Sequence, residues 1–194
     1  MIIKAIRSGL MGNNTYIVEK DGECAVIDPA RRNKALFEYF ETGNAPKLKF
    51  ILLTHGHFDH VWDAGKLREM TGAKIAIHKE DAPQMEIELQ NAGTPGKADI
   101  YIDEGDEIFG LKVMHTPGHS RGSVCFLSEN EMFSGDTVFE GTVGRTDFEG
   151  GSLEVMYNSI ERIAALEKDY MIYSGHGAAT TLYREKAVNP YFKR

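Results

Sequence analysis

The sequence predicts an α/β fold of the αβ/βα sandwich type, a four-layer arrangement of two mixed β-sheets with helices on the outer faces. Three observations support this. Strand-like runs recur in both halves of the chain with helical segments between them, the alternation by which a sheet acquires a helical cover. Both halves follow one order: several strands, a helix, a buried strand, then polar residues suited to binding. The run Phe50-Ile51-Leu52-Leu53 is apolar without interruption, as a strand buried on both faces must be.

In order along the chain, Ile2 to Ile6, Thr15 to Glu19 and Cys24 to Asp28 read as strands, with a turn near Gly12-Asn13-Asn14. Asp21-Gly22 between two apolar runs signals a hairpin. Asn33 to Glu41 carries Leu36, Phe37 and Phe40 at helical spacing and stops at Gly43. Lys49 to Thr54 is the buried strand. Asp63 to Met70 reads as a helix with Asp63 as N-cap and Gly72 beyond its end. Lys74 to His78 is a further strand. The polar stretch from Lys79 to Asp99, broken by Pro83, Gly93, Pro95 and Gly96, reads as a short helix plus a long loop. Within it Met85, Ile87 and Leu89 are expected to pack as a cap on the core rather than line a pocket. Strands are then expected over Asp106 to Phe109, Leu111 to Thr116, Ser123 to Ser128 and Glu131 to Ser134, followed by a Gly-rich loop from Val138 to Gly151. Ser152 to Glu167 is an amphipathic helix capped by Ser152, with Leu153, Met156, Ile160, Ile163, Ala164 and Leu166 on its apolar side. Tyr170 to Ser174 forms a last strand and Leu182 to Ala187 a short final helix. No linker or exact repeat interrupts the chain, so residues 1–194 are expected to form a single domain.

Composition limits the function classes. The 194 residues are 42% hydrophobic and 26% charged, as in an ordinary globular protein able to bury a core. The formal charge of −7 disfavours nucleic acid or an anionic membrane as partner, because both call for a basic patch. Cys24 and Cys125 sit in apolar stretches and read as reduced core thiols. No apolar stretch reaches the roughly 18 residues of a membrane span. The N-terminal run M-I-I-K-A-I-R-S-G-L lacks a signal-peptide pattern, so a cytoplasmic protein is expected.

Chemistry-bearing residues gather at strand ends. Thr54 closes the buried run, and His55, His57, Asp59 and His60 follow within six positions. His119 lies just beyond the strand from Leu111, Asp136 beyond that from Glu131, and His176 beyond that from Tyr170. Strand ends are where α/β folds place ligands, and a glycine directly before His119, Asp136 and His176 lets the backbone turn sharply there. Five imidazoles and two carboxylates suit zinc, iron or manganese and exceed what one tetrahedral ion takes. With one carboxylate shared, they suit two ions. His78 and His115 are left outside this set. Pro117-Gly118 rules out a helical pairing of His115 with His119.

The motifs T-H-G-H-F-D-H, H-T-P-G-H-S, F-S-G-D and S-G-H-G, in this order, resemble the metallo-β-lactamase superfamily, and within it the glyoxalase II-like branch of hydroxyacylglutathione hydrolases. The resemblance runs from about Met1 to Ala178. It implies a metallo-β-lactamase fold, a first divalent ion on His55, His57 and His119, a second on Asp59, His60 and His176, and Asp136 bridging both. The ions are expected to be zinc, with iron or manganese as alternatives. Gly144-Arg145-Thr146-Asp147 also resembles that branch, and an Arg145–Asp147 interaction is expected there rather than a substrate contact.

The resemblance further implies hydrolysis of a small acyl thioester, a glutathione thioester among the candidates. A hydroxide bridging the two ions would attack the acyl carbonyl, and Asp59 would orient the water or carry its proton. Two departures bear on the substrate. The chain stops at Arg194 without the C-terminal helical domain that holds glutathione in long glyoxalase II enzymes. Gly177-Ala178 stands where those enzymes carry Glu-Tyr. True β-lactamases mostly place a cysteine where Asp136 stands, so lactamase activity is not expected. The rival readings are a persulfide dioxygenase of the same superfamily, with one iron on counterparts of His55, His119 and Asp136, and a non-enzymatic metal-binding protein. Seven ligands in open loop positions argue against the last.

Overall fold

The computed structural model describes residues 1–8, 12–94 and 96–193, so Pro95 lies outside the described residues. The chain gathers into two compact units, Met1–Tyr101 and Ile102–Arg194.

The first unit is built on a six-stranded sheet. Its strands are β1 (Ile2–Ser8), β2 (Asn13–Lys20), β3 (Glu23–Ile27), β4 (Lys47–Leu52), β5 (Lys74–His78) and β6 (Ile100–Ile102), neighbours in that order, with β6 straddling the boundary. The β1–β2 and β2–β3 pairs are antiparallel, whereas β3–β4 and β4–β5 are parallel, so the sheet is mixed. Parallel neighbours need crossovers. Helix α1 (Lys34–Glu41) links β3 to β4, and α2 (Phe58–Val61) and α3 (Ala64–Thr71) link β4 to β5; α4 (Ala82–Asn91) follows β5. Asn33 caps α1 by accepting from the Leu36 amide at 3.1 Å. Ile17, Val26, Leu36, Ile51, Leu53, Leu67 and Ile75 form part of one buried cluster.

Met85 and Leu89 join that cluster, as expected of a core-packed cap, but Ile87 is exposed. Asp63 stands at the N-cap position of α3 without a side-chain cap bond; its carboxylate instead accepts from the Asn33 amide at 2.9 Å, and burial pushes its pKa up.

The second unit carries a mixed sheet in the order β14-β13-β10-β9-β8-β7. These strands are β7 (Glu107–Ile108), β8 (Leu111–His115), β9 (Val124–Leu127), β10 (Glu131–Gly135), β13 (Met171–Ser174) and β14 (Thr180–Thr181), with β10 and β13 parallel. The expected loop after Val138 contains a small hairpin, β11 (Val138–Phe139) with β12 (Thr142–Val143). Helix α5 (Leu153–Ala164) crosses between β10 and β13 and is capped by Ser152, as its spacing predicts. Met156, Ile160 and Ile163 are buried in this unit's core, while Leu153, the first helical residue, is 47% exposed. Helix α6 (Leu182–Val188) and a 3₁₀ turn over Pro190–Phe192 end the fold. Among the described residues no helix is long and apolar enough to cross a membrane.

Both cysteines are free and buried. Burial pushes the Cys24 thiol up to about 12 and the Cys125 thiol up to about 11, which keeps them protonated and inert.

Candidate metal centre

In the first unit the cluster of candidate ligands follows β4, but it is not all loop. His57 holds the N-cap position of α2, a single turn that contains Asp59 and His60. That turn carries the two side chains at adjacent helical positions. Gly56 is required between the first two histidines: a Cβ there would lie 2.6 Å from the Asp81 carbonyl oxygen, and its amide donates to Asp81 Oδ2 at 2.9 Å.

Asp28 organises the cluster. It follows β3, the parallel neighbour of β4, and Ile27 pairs in register with Leu52, so both strands release their next residues at one sheet edge. Its φ of 50° is a left-handed conformation that aspartate tolerates better than most residues. Asp28 Oδ1 accepts from the Thr54 amide at 2.8 Å, and Oδ2 accepts from the Thr54 hydroxyl at 2.7 Å. His60 Nδ1 lies 3.0 Å from the same Oδ2. The Thr54 hydroxyl has spent its one proton on Asp28, so at 3.0 Å it accepts from His55 Nδ1. Both imidazoles thus carry their proton on Nδ1 and leave the Nε2 lone pair available, the usual arrangement of metal-binding histidine. The His55 ring centroid lies 4.2 Å from that of His60 and 4.7 Å from that of His57. Asn13 Nδ2 donates to Asp59 Oδ2 at 2.9 Å.

In the second unit, parallel pairing again brings residues to one edge. Gly135 is in register with Ser174, and the Gly175 amide donates to the Gly135 carbonyl at 2.8 Å, which brings Asp136 and His176 together. Asp136 Oδ2 lies 3.6 Å from His119 Nε2 and 3.6 Å from His176 Nε2. His119 Nδ1 donates to the Arg145 carbonyl at 2.7 Å, again leaving Nε2 for a ligand. Gly144 is held to glycine by its surroundings, because a Cβ would stand 1.9 Å from the Asp136 carbonyl oxygen.

Arg145 and Asp147 pair with each other, as expected, through two hydrogen bonds of 2.9 and 2.7 Å. The Arg145 guanidinium also lies 4.4 Å from the centroid of the Phe148 ring, and that ring meets His119 edge-on at 5.9 Å.

These residues pass a simple test of fit for metal. Asp59 Oδ2 to His60 Nε2 is 3.7 Å, close to the two Asp136 distances. All three spacings are too long for hydrogen bonds and suit two ligand atoms on one cation with arms of about 2.0–2.2 Å. Asp28, His55 and His60 further hold ligand atoms within 4.8 Å of one another. Within each unit, then, the sequence-predicted residues come together: His55, His57, Asp59 and His60 in the first, and His119, Asp136 and His176 in the second. Sequence reasoning missed Asp28, Asn13 and Thr54 as supports. In the sequence, Asp28-Pro29 marks only the end of a strand.

Two mixed sheets with helical crossovers and histidine–aspartate clusters at strand ends define an α/β protein with candidate metal-binding sites. The chain belongs to the metallo-beta-lactamase superfamily, whose family profile matches residues 8–176. It is 33% identical to the hydroxyacylglutathione hydrolase GloC of Haemophilus influenzae, over 92% of each chain. Among solved structures it is similar to the B3 metallo-beta-lactamase BLEG-1, with a TM-score of 0.89, 30% identity and full coverage of both chains. It is also similar to a protein crystallised in a di-iron-bound form, with a TM-score of 0.87, 33% identity, and 97% and 99% of the two chains covered. The fold is therefore the metallo-β-lactamase fold, and the family together with these clusters implies divalent metal ions.

Proposed function

We propose that this protein is a dinuclear metal-dependent hydrolase of small acyl thioesters, glyoxalase II-like, with residues 1–194 serving one hydrolase domain. The observation that carries the reading is the position of Asp136. One oxygen, Oδ2, stands 3.6 Å from the Nε2 atoms of both His119 and His176, and the family pattern assigns those two histidines to different ions. A carboxylate oxygen placed in this way would serve both ions. By the same pattern His55, His57 and His119 would hold one ion, and Asp59, His60 and His176 the other. The 33% identity to a hydroxyacylglutathione hydrolase supports thioester hydrolysis.

The bound ions would supply Lewis acidity, lowering the pKa of a water and balancing charge that develops on the acyl oxygen. The protein's own groups do the positioning. Asp28 fixes His60 directly and His55 through Thr54. Asp59 orients the attacking water or carries its proton. No thiolate nucleophile takes part, since both cysteine thiols are buried and protonated. Zinc suits the imidazole-rich set best, with iron and manganese as alternatives. The substrate is a small molecule rather than nucleic acid or membrane, in keeping with a charge of −7, and two reduced thiols fit the cytoplasm.

The test pairs metal analysis with a substrate panel. Protein loaded with two ions per chain should hydrolyse S-D-lactoylglutathione or another acyl thioester. Oxygen uptake on glutathione persulfide with one iron per chain, and intact thioesters, would overturn the proposal in favour of the dioxygenase.

A further inference from the structure

We infer that Asn13 is a positioning residue that aims the Asp59 ligand oxygen and thereby sets how tightly the ion of Asp59 and His60 is held. This rests on the reading of Asp59 as a metal ligand. Asn13 opens β2, whose antiparallel pairing with β3 brings its first residue to the edge where β3 and β4 end. Asn13 is 3% exposed and Asp59 8%, so the 2.9 Å bond between them is sheltered from competing water.

The acceptor in that bond is Oδ2, the same oxygen that stands 3.7 Å from His60 Nε2. A carboxylate oxygen has two lone-pair directions. With one taken by Asn13, the other is directed to the space shared with His60. The His60 ring cannot adjust to a misplaced partner, because Asp28 holds its Nδ1 at 3.0 Å and the ring is fully buried. Asp59 is therefore the member of the pair whose rotation must be restrained, and the Asn13 amide restrains it. Removing the amide lets the carboxylate turn away, so that each binding event must reorder it.

Zinc affinities of wild type, Asn13→Leu, Asp59→Ala and the double variant, measured by titration against a competing chelator, test this directly. Circular dichroism and thermal unfolding of the metal-free proteins check folding. Asn13→Ala repeats the comparison if the leucine disturbs the fold. Asn13→Leu should weaken one of two ions by about 10–100-fold, the usual effect of losing an outer-shell partner, while leaving the other within about twofold. In the Asp59→Ala background it should add no further loss, because its effect passes through Asp59. Wild-type affinities in Asn13→Leu, equal weakening of both ions, or an added loss without Asp59 would each overturn the inference. If Asp59→Ala alone binds both ions like wild type, the ligand assignment itself falls and takes this inference with it.

Discussion

Asp28 and His60 are joined across 32 residues of sequence by a 3.0 Å contact between Oδ2 and Nδ1, with both side chains buried. The same Oδ2 accepts from the Thr54 hydroxyl, which in turn faces His55 Nδ1. One carboxylate thus sets the tautomer and direction of two imidazoles.

Replacing Asp28 with alanine should therefore loosen both histidines and weaken both ions, each by about 10–100-fold. It should also destabilise the metal-free protein by about 1–3 kcal/mol, since the Thr54 amide and hydroxyl lose their buried acceptor. Chelator-competition titration and urea unfolding measure the two effects. Undiminished affinity for both ions would show that the histidines are oriented by something else. The pattern differs from that expected of Asn13→Leu, where one ion is affected.

Gly144→Ala tests the second unit. The new methyl would start 1.9 Å from the Asp136 carbonyl oxygen and 3.2 Å from His119 Nδ1, and the first neighbour is backbone that cannot rotate aside. Overpacking of this kind costs about 1–3 kcal/mol. For a chain of this size that lowers the melting temperature by about 2–12 °C. Metal content should fall with it, because the shift displaces Asp136. A variant with wild-type melting and full metal content would mean that the β10–β11 turn yields without cost.

Candidate ligands and their supports differ in how far they can be read from sequence. His55, His57, Asp59 and His60 were legible because four ligand-type residues directly after an apolar strand seldom gather for any purpose but metal binding. His119, Asp136 and His176 were legible because each follows a strand and a glycine. Asn13 and Asp28 were not. An asparagine in a turn and an aspartate before proline commonly serve only the local backbone, and their roles here arise only when β2, β3 and β4 bring their ends to one edge. Helix α2 was not legible because four residues are too few to show a helical period, and the two-residue strands of the β11–β12 hairpin are too short to alternate. Leu153 was assigned to an apolar face by its spacing, but it is the first residue of α5, where the helix has not yet reached the core.

Glu185 gives the last prediction, one of pH dependence. Its side chain is fully buried. Oε1 accepts from the Thr180 hydroxyl at 2.7 Å and from Arg184 Nη1 at 2.8 Å, and Oε2 accepts from the Gly141 amide at 2.8 Å and from Asn189 Nδ2 at 2.9 Å. Burial by itself would raise the carboxyl's pKa, but these donors together outweigh it and hold the pKa below the usual 4.5. A carboxylate whose pKa is lower folded than unfolded contributes stability that is complete above the unfolded value. That contribution is lost as pH falls through the folded value. Glu185→Gln turns part of the acceptor into a donor facing donors, and should cost about 1–3 kcal/mol at neutral pH. In metal-free protein, where ion release cannot contribute, the stability gap between wild type and Glu185→Gln should narrow as pH drops below about 4.5, the unfolded carboxyl value. Urea unfolding at a series of pH values measures that gap. A gap that stays constant down to the acid limit would mean that the Glu185 charge contributes nothing to folding and that its hydrogen bonds act as neutral ones.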